Sequence, residues 1–201
     1  MPAWIAKGGF MMWPILLCSV IALGICIQKA IVFISIRLNI GKFIQALFQL
    51  LKEKHYQDAL SLCRQHNHPI ARAFLRGLEN YIDDGGRVVS EIEISGMEDI
   101  ARLDRGLKAL SSIVTVLPML GFLGTIIGLI QAFMQWETMG ENVTVTVLAG
   151  GIYAAMITTA AGLFLAIPYF MVYNYFVSRI ERLANDLTRY TSEFVAILKI
   201  K

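Results

Sequence analysis

Two long stretches without a single charged residue dominate this sequence of 201 residues. One runs from Ala109 to Trp136 and the other from Val143 to Val177, 28 and 35 residues long. About 20 apolar residues in a helix suffice to cross the hydrocarbon core of a bilayer, so each stretch can span it. Only 16% of the residues are charged, against about 25% in soluble domains, and the chain is therefore predicted to lie in a membrane.

A third apolar stretch near the start adds another span. It extends from Phe10 to Ile36 and is broken only by Gln28 and Lys29. This run is longer than the apolar part of a secretory signal, and no small-residue cleavage motif follows it, so we expect it to stay attached as a helix. The sequence therefore predicts an all-α membrane protein with three transmembrane helices.

Lysine and arginine set the predicted orientation, because they are retained on the cytoplasmic side of spans. Eleven lie between the first two spans and five follow the third, whereas the connection after the second span carries two acids and no base. The N-terminus is thus expected outside and the C-terminus inside. The predicted segments are a periplasmic N-terminus with the first transmembrane helix (1–37), a cytoplasmic helical segment (38–108), the second transmembrane helix (109–136), a periplasmic hairpin (137–142), the third transmembrane helix (143–178) and a cytoplasmic C-terminal helix (179–201).

The loop and the tail show the residue spacing of helices. Pro69 suits a first helical turn, and Asp83-Asp84-Gly85-Gly86 predicts a turn between two helices. The helical pattern resumes at Ile92 and continues without an evident breaker into the second span, and the pattern after Arg179 continues the third. We therefore expect the second and third helices to extend far into the cytoplasm.

Two polar clusters of the loop leave alternatives open. Cys63, His66 and His68 could offer ligands to a metal ion, but a fourth ligand at a familiar zinc spacing is missing. A polar turn between helices is the preferred interpretation. A solvated helix face, with a subunit contact as the alternative, is expected for Glu91, Glu93, Glu98, Asp99, Arg102 and Asp104.

Hydroxyls and small residues, rather than charges, mark the second and third spans. A chain that moved ions through its own relay would be expected to carry an intramembrane acid, and these spans carry none. Ser111, Thr115, Pro118 and Thr125 share one face of the second helix. Beside this face lie three glycines that permit close helix approach: Gly121, Gly124 and Gly128.

Thr125 of the second span and Thr159 of the third are predicted to lie at similar depth. Each is seventeen residues from Asn142, about 25 Å along its helix if the hairpin turns there. They could form one polar layer; the alternative is that each hydroxyl bonds back to its own helix. Near Thr159 along the third span stand Thr158, Gly162, Ala166 and Pro168.

Four groups of motifs, spread over nearly the whole chain, are specific in combination. They are Lys7-Gly8-Gly9 with Met12-Trp13-Pro14-Ile15-Leu16-Leu17, Leu60-Ser61-Leu62-Cys63 with Pro69-Ile70-Ala71-Arg72, Leu117-Pro118-Met119-Leu120-Gly121-Phe122-Leu123-Gly124-Thr125-Ile126-Ile127-Gly128, and Ile157-Thr158-Thr159-Ala160-Ala161-Gly162-Leu163-Phe164-Leu165-Ala166-Ile167-Pro168 with Tyr173-Asn174. Together they resemble the MotA/TolQ/ExbB family, most of all its three-span ExbB and TolQ branch.

This resemblance implies a homopentamer, an oligomeric helical bundle around a central pore that holds a dimer of single-span ExbD/TolR-like partners. Each partner helix carries a membrane-embedded Asp, which would account for the acid missing here. The implied role is a subunit of a bacterial inner-membrane motor that converts proton- or sodium-motive force into mechanical work for outer-membrane transport or envelope maintenance. A TonB/TolA-like protein and membrane lipids are further implied partners, with H+ or Na+ as the transported ion and no cofactor.

The resemblance also assigns residues by position. Thr125 and Thr159 match the family's pore-lining threonines. Many ExbB and TolQ relatives carry Glu where this chain has Ala154, and often Ala where it has Thr158. Neutral oxygens suit cations, so sodium and proton are both kept as coupling ions. The predicted ion-pathway residues are Thr125, Thr158, Thr159, Ser111 and Thr115. Packing or structural roles are predicted for Gly121, Gly124, Gly128, Gly162, Pro118, Pro168 and Asn174.

The sequence fits three other classes of protein less well. A simple ion channel without a motor role is disfavoured by the acid-free spans, and a structural membrane scaffold would tolerate Thr159→Val. No enzyme is expected, because the serines and histidines have no nucleophile and base spacing and no phosphate-binding glycine loop follows a strand. No nucleic-acid partner is expected either, since acids interleave with the bases despite a net charge of +3.

Overall fold

A computed structural model describes residues 9–36, 39–83, 86–140 and 145–198. Within these ranges the chain is helical and contains no strand, which confirms the predicted all-α fold. Residues 37–38, the turn residues 84–85 and the predicted hairpin centre Asn142 lie outside the described residues. The helices are α1 Met12–Ser35, α2 Ile40–Lys52, α3 Tyr56–Arg64, α4 Pro69–Asp83, α5 Val88–Asp104, α6 Leu107–Met139 and α7 Val145–Leu198.

Three helical stretches are long and apolar enough to cross a membrane, as the sequence predicted. They contain α1, α6 and α7 respectively. The chain divides into two compact units. The membrane unit holds the described residues up to Gln28 together with Gly106–Tyr175; the loop-and-tail unit holds Lys29–Arg105 and the residues from Phe176 onward.

The helical course is interrupted between α5 and α6. Gly106 has a φ of 92°, in the left-handed region that residues with a Cβ rarely adopt. The helix predicted to run unbroken from Ile92 into the second span is therefore interrupted at Arg105 and Gly106. In contrast, α7 continues without interruption to Leu198, as predicted for the third helix and its tail.

His68 caps helix α4. Its Nδ1 accepts a hydrogen bond from the Ile70 N–H at 3.2 Å, and Pro69 begins the helix as predicted. Burial, with the nearby Glu79, raises the pKa of the Cys63 thiol to about 12, so this thiol stays protonated at neutral pH. Among the described residues, no three His, Cys, Asp or Glu side chains are grouped so as to hold a metal ion.

The loop-and-tail unit has an apolar core to which α4, α5 and the end of α7 contribute. Phe74 of α4 stacks on Phe194 of α7 with ring centroids 5.1 Å apart. Gly96 of α5 lies directly against the Leu187 side chain. A larger residue than glycine at this position would have to displace Leu187, which is itself buried, so Gly96 fixes how closely the two helices approach.

Asp99 of α5 is enclosed in this unit. It is 6% exposed, and Arg72 Nε donates a hydrogen bond to its Oδ2 at 2.8 Å. The predicted solvated face holds for Glu93 and Glu98, which are exposed, but it is wrong for Asp99. A carboxylate tolerates burial when a cation bonds to it. Arg72 comes from the neighbouring helix, which residue spacing within α5 does not reveal, and Arg102 of α5 itself lies 3.9 Å from Oδ1.

Candidate functional site

The second and third spans, α6 and α7, approach each other along a line of small residues. A Cβ built at Gly121 would lie 3.0 Å from the Thr158 carbonyl oxygen, and one at Gly162 would lie 2.7 Å from the Leu117 carbonyl oxygen. Side chains at these positions would push the helices apart, so the glycines set the interhelical distance. The same line of tight contacts includes Gly124, Gly128 and Gly151.

Thr158 lies inside this helix pair. Its side chain is 2% exposed and packs against Gly124, and its Oγ1 donates to the Ala155 carbonyl oxygen at 2.7 Å. The Thr158 hydroxyl therefore does not reach the surface of the chain, although the sequence placed it among the ion-pathway residues.

Thr159, the next residue, is half-buried and connects the two spans. Its Oγ1 donates a hydrogen bond to the Gly121 carbonyl oxygen on α6 at 2.9 Å. The alternative of a hydroxyl bonded to its own helix thus does not hold for Thr159. It does hold for Thr125, whose Oγ1 donates to the Phe122 carbonyl oxygen three residues earlier.

Thr125 and Thr159 lie at neighbouring levels of the helix pair. Gly124, adjacent to Thr125, packs against Thr158, adjacent to Thr159. Equal spacing from the hairpin predicts this arrangement. Because Thr158 is enclosed between the helices, Thr125 and Thr159 are the hydroxyls at this level that reach the surface of the chain.

The remaining predicted pathway residues, Ser111 and Thr115, lie nearer the start of α6. Thr115 is ten residues from Thr125, about 15 Å along the helix, and its Oγ1 donates to the Ser111 carbonyl oxygen at 3.0 Å. Of the predicted structural residues, Pro118 is half-buried within α6, whereas Pro168 and Asn174 are exposed on α7. The structure therefore groups Thr125 with Thr159 and leaves Ser111 and Thr115 apart from them.

The outward surface around these hydroxyls is apolar. Bulky side chains are exposed on α6, and α7 presents a similar row. Large exposed apolar areas are normally covered by lipid or by other protein. The exposed side chains include Met119, Phe122, Ile126, Ile130 and Phe133 on α6 and Phe164, Ile167, Phe170 and Met171 on α7.

A hydroxyl pair that the sequence did not predict joins the first span to the third. Ser19 Oγ and the Tyr169 hydroxyl lie 3.0 Å apart, and that hydroxyl also lies 3.0 Å from the Ser19 carbonyl oxygen. Ile15 is fully buried beside them. The two partners are 150 positions apart, so no local pattern in either helix reveals the pair.

A family model described as the MotA/TolQ/ExbB proton channel family matches residues 65–189. The chain belongs to this family. The resemblance drawn from its motifs is thereby confirmed, and the matched residues include Gly121, Thr125, Thr158 and Thr159. Membership in the MotA/TolQ/ExbB family, together with the three apolar helices, identifies the chain as a multi-pass membrane protein.

Individual relatives agree with the family assignment. The chain is 30% identical over 165 residues to the biopolymer transport protein exbB1 of Vibrio cholerae, which covers 80% of this chain and 72% of that protein. It is 35% identical over 100 residues to the Tol-Pal system protein TolQ of Haemophilus influenzae, 50% of this chain and 43% of that protein. The chain is also 30% identical over 145 residues to the ExbB homolog of Methanothermobacter thermautotrophicus. That alignment covers 72% of this chain but only 51% of that protein.

Proposed function

We propose that this chain is the ion-pathway subunit of a membrane complex that uses an ion gradient to energise an ExbD/TolR-like partner. The pair of hydroxyls at Thr125 and Thr159, in spans without a charged residue, carries this proposal. A proton relay through hydrocarbon ordinarily uses an ionisable side chain. The second and third spans offer hydroxyls alone, so a partner helix supplies the acid. The names of the relatives, biopolymer transport and Tol-Pal, support such an energising role.

The proposed complex is a homopentamer in the inner membrane. The α6 and α7 helices of five copies surround a central pore that holds a dimer of the single-span partner, and a TonB/TolA-like protein receives the work. The exposed apolar rows of α6 and α7 support burial by neighbouring helices and lipid. The proposed orientation has the N-terminus in the periplasm and the C-terminus in the cytoplasm, because lysine and arginine concentrate in the loop and tail.

The proposed coupling ion is the proton. The family's description as proton channels supports this choice. The sodium hypothesis drew on the hydroxyl of Thr158, which is enclosed and donates to Ala155, so we assign Thr158 to helix packing. Flux through the reconstituted complex at a fixed pH gradient should be unchanged when sodium is removed; flux that stops without sodium would reverse this choice.

The first experiment is the native mass of the complex in nanodiscs, with and without a co-expressed single-span partner. Five copies of this chain retaining two copies of the partner are expected. A monomer or dimer that retains no partner would contradict the proposal and favour a structural scaffold. A pentamer that conducts ions without the partner would instead indicate a simple channel.

The second experiment measures proton flux in vesicles that contain the complex. The double variant Thr125→Val and Thr159→Val keeps the side-chain shape but removes both hydroxyls. We expect a loss of about tenfold or more, since one hydrogen bond of about 1.4 kcal/mol in the barrier already changes a rate tenfold. Thr188→Val is the matched control, because the Thr188 hydroxyl donates to its own helix on an exposed part of the tail. Equal flux in all three proteins would contradict the assigned pathway.

A further inference from the structure

The threonine hydroxyls of the candidate pathway all donate their protons to backbone carbonyl oxygens. We propose that the Gly121 carbonyl positions Thr159 so that Thr159 offers only lone pairs to the pathway, which makes this surface selective for protonated acids and cations over carboxylates. This inference rests on the proposed function, because it specifies what the hydroxyls of that pathway recognise. It concerns the direction of hydrogen bonds, which the amino-acid types alone leave open.

The direction of each bond follows from the chemistry of its acceptor. A hydroxyl has one proton to donate and two lone pairs that accept, whereas a carbonyl oxygen can only accept. A hydroxyl bonded to a carbonyl oxygen has therefore committed its proton. This holds for the bonds from Thr115 to Ser111, Thr125 to Phe122, Thr158 to Ala155 and Thr159 to Gly121.

Thr159 differs from the other three because its short hydrogen bond is to another helix. Thr158 Oγ1 also lies 3.5 Å from the Gly121 carbonyl oxygen, but its shorter bond, at 2.7 Å, is to Ala155 of its own helix. Its Oγ1 reaches the Gly121 carbonyl oxygen at 2.9 Å, which requires α6 and α7 to be close at this level. Gly121 provides that closeness, since a Cβ there would lie 3.1 Å from the Thr159 Cα. If the helices separated, the Thr159 hydroxyl could turn back to a carbonyl of its own helix, and its lone pairs would point elsewhere. Gly121 is therefore a positioning residue for Thr159.

An acceptor surface discriminates between the two states of a carboxyl group. A protonated carboxylic acid carries one O–H donor, which the free lone pairs of Thr159 can accept, whereas a carboxylate has only acceptors. A hydrated proton or another cation is bound by the same lone pairs. Thr159 thus stabilises the acid of a partner helix when the proton is on it, and leaves the ionised acid without a hydrogen bond from this side chain.

The hydrogen bond can be tested in the full chain alone, in nanodiscs. Carbon-13 labelling of glycine carbonyls gives a Gly121 resonance that is assigned by its loss in Gly121→Ala. Thr159→Val is expected to shift this resonance, and Thr125→Val, whose hydroxyl bonds elsewhere, is expected to leave it nearly in place. No shift in Thr159→Val would overturn the inference, and this arm does not depend on any partner or on the proposed function.

The selectivity is tested in the complex with the single-span partner. An infrared titration of the partner's carboxyl group reports its protonation directly. Thr159→Val should lower the pH of half-protonation by about 0.5 to 1 unit, the equivalent of one lost hydrogen bond to the protonated acid. Thr159→Ser, which keeps the lone pairs, should restore the original midpoint. A midpoint that rises in Thr159→Val would show that the hydroxyl donates to the carboxylate, and would overturn the inference.

Gly121→Ala and Gly128→Ala form a matched pair for the positioning role. Each adds a Cβ at the tight contact of α6 with α7; at Gly128 it would lie 2.8 Å from the Ala155 Cβ, at a level without a threonine. Gly121→Ala should lower the pH at which the partner's carboxyl group is half protonated, as Thr159→Val does. Combining both changes should cause no further shift. An equal shift in Gly128→Ala would overturn the role of Gly121. If no complex with the partner forms, the proposed function fails. The carbon-13 measurement still shows whether Thr159 donates to the Gly121 carbonyl oxygen.

Discussion

At the residue scale, the hydrogen bond by which His68 caps α4 depends on pH, because it requires an unprotonated Nδ1. Burial, together with the neighbouring charges of Arg72 and His66, lowers the pKa of His68 to about 4. The ring is therefore neutral at pH 7, and its Nδ1 can accept the Ile70 N–H that begins α4. Protonation would place a hydrogen on this nitrogen and a charge in a buried position, so it opposes the folded state.

This linkage predicts a loss of stability in acid. In the unfolded chain His68 takes up its proton near pH 6.5, so its contribution is complete above that pH and is lost as the pH falls towards about 4. The loss is of the order of 3 kcal/mol. Thermal unfolding between pH 7.5 and 4 measures it, with His68→Asn as the comparison, because Asn caps a helix without titrating there. Equal pH dependence in both proteins would contradict the linkage.

Gly124 is predicted to be among the positions of α6 least tolerant of a larger side chain. A Cβ there would lie 2.7 Å from the Cβ of Thr158, a stiff, branched side chain that is 2% exposed. Gly124→Ala should therefore destabilise the chain by about 1 to 3 kcal/mol, the usual cost of overpacking. Gly150→Ala, with nothing within 4 Å of the added Cβ, is the control and should be tolerated. Thermal unfolding in detergent compares them; equal melting temperatures would contradict the contact.

At the scale of elements, residue spacing predicted the helices because each depends on its own sequence. Long apolar runs predicted the three spans, and Pro69 marked the start of α4. The interruption before α6 was missed, because Gly106 lies among good helix formers and the sequence does not show its positive φ. Of the candidate site, the equal spacing of Thr125 and Thr159 from the hairpin predicted their level, but only the three-dimensional structure shows which hydroxyls are enclosed.

Contacts between distant helices were the part that spacing could not predict. Lys29, which interrupts the first apolar stretch, is 5% exposed, and its Nζ donates to the Leu103 carbonyl oxygen at 2.6 Å. Leu103 lies in the last turn of α5, where carbonyl groups lack partners in their own helix. A buried cation at this end of a helix is favourable, but its partner is 74 positions away.

Lys29 is accordingly predicted to stabilise the end of α5. Lys29→Met keeps the length and apolar stem of the side chain but removes the ammonium group. We expect a loss of about 1 to 2 kcal/mol, the range for a charge at a helix terminus in a partly buried site. Lys29→Arg, which keeps the charge, should retain part of this stability. Thermal unfolding of the three proteins decides; a Met variant as stable as the parent would show that the bond contributes nothing.

The Ser19 and Tyr169 pair is predicted to hold α1 against α7. Tyr169→Phe and Ser19→Ala each remove one hydroxyl of a part-buried pair. Hydrogen bonds between membrane helices contribute about 0.6 kcal/mol on average and up to about 1.7, and a coupling energy in that range is expected from a double-mutant cycle. The free energies of unfolding of the two single variants and the double variant provide it. Strictly additive effects would show that the two hydroxyls act independently.

At the scale of the whole molecule, the distribution of lysine and arginine predicts how the chain is inserted in the membrane. Eleven lysines and arginines between the first two spans would have to cross the membrane if the orientation were reversed. Because such residues are retained on the cytoplasmic side, the connection between α6 and α7 is expected in the periplasm and the tail of α7 in the cytoplasm. Under the proposed function, ions would then be expected to approach Thr125 and Thr159 from the periplasmic side, where the connection between α6 and α7 lies.

Two exposed threonines allow this orientation to be measured. Thr138, near the end of α6, and Thr188, on the tail of α7, each donate a hydroxyl to their own helix, so cysteine at either position should be tolerated. With Cys18 and Cys26 replaced by Ala, the remaining native thiol, Cys63, is buried and its pKa is raised to about 12, so it should not react. A maleimide that does not cross membranes should label Thr138→Cys in spheroplasts, and Thr188→Cys only after permeabilisation. The opposite pattern would place the loop and its bases outside and would require the ion to enter the pathway from the other end.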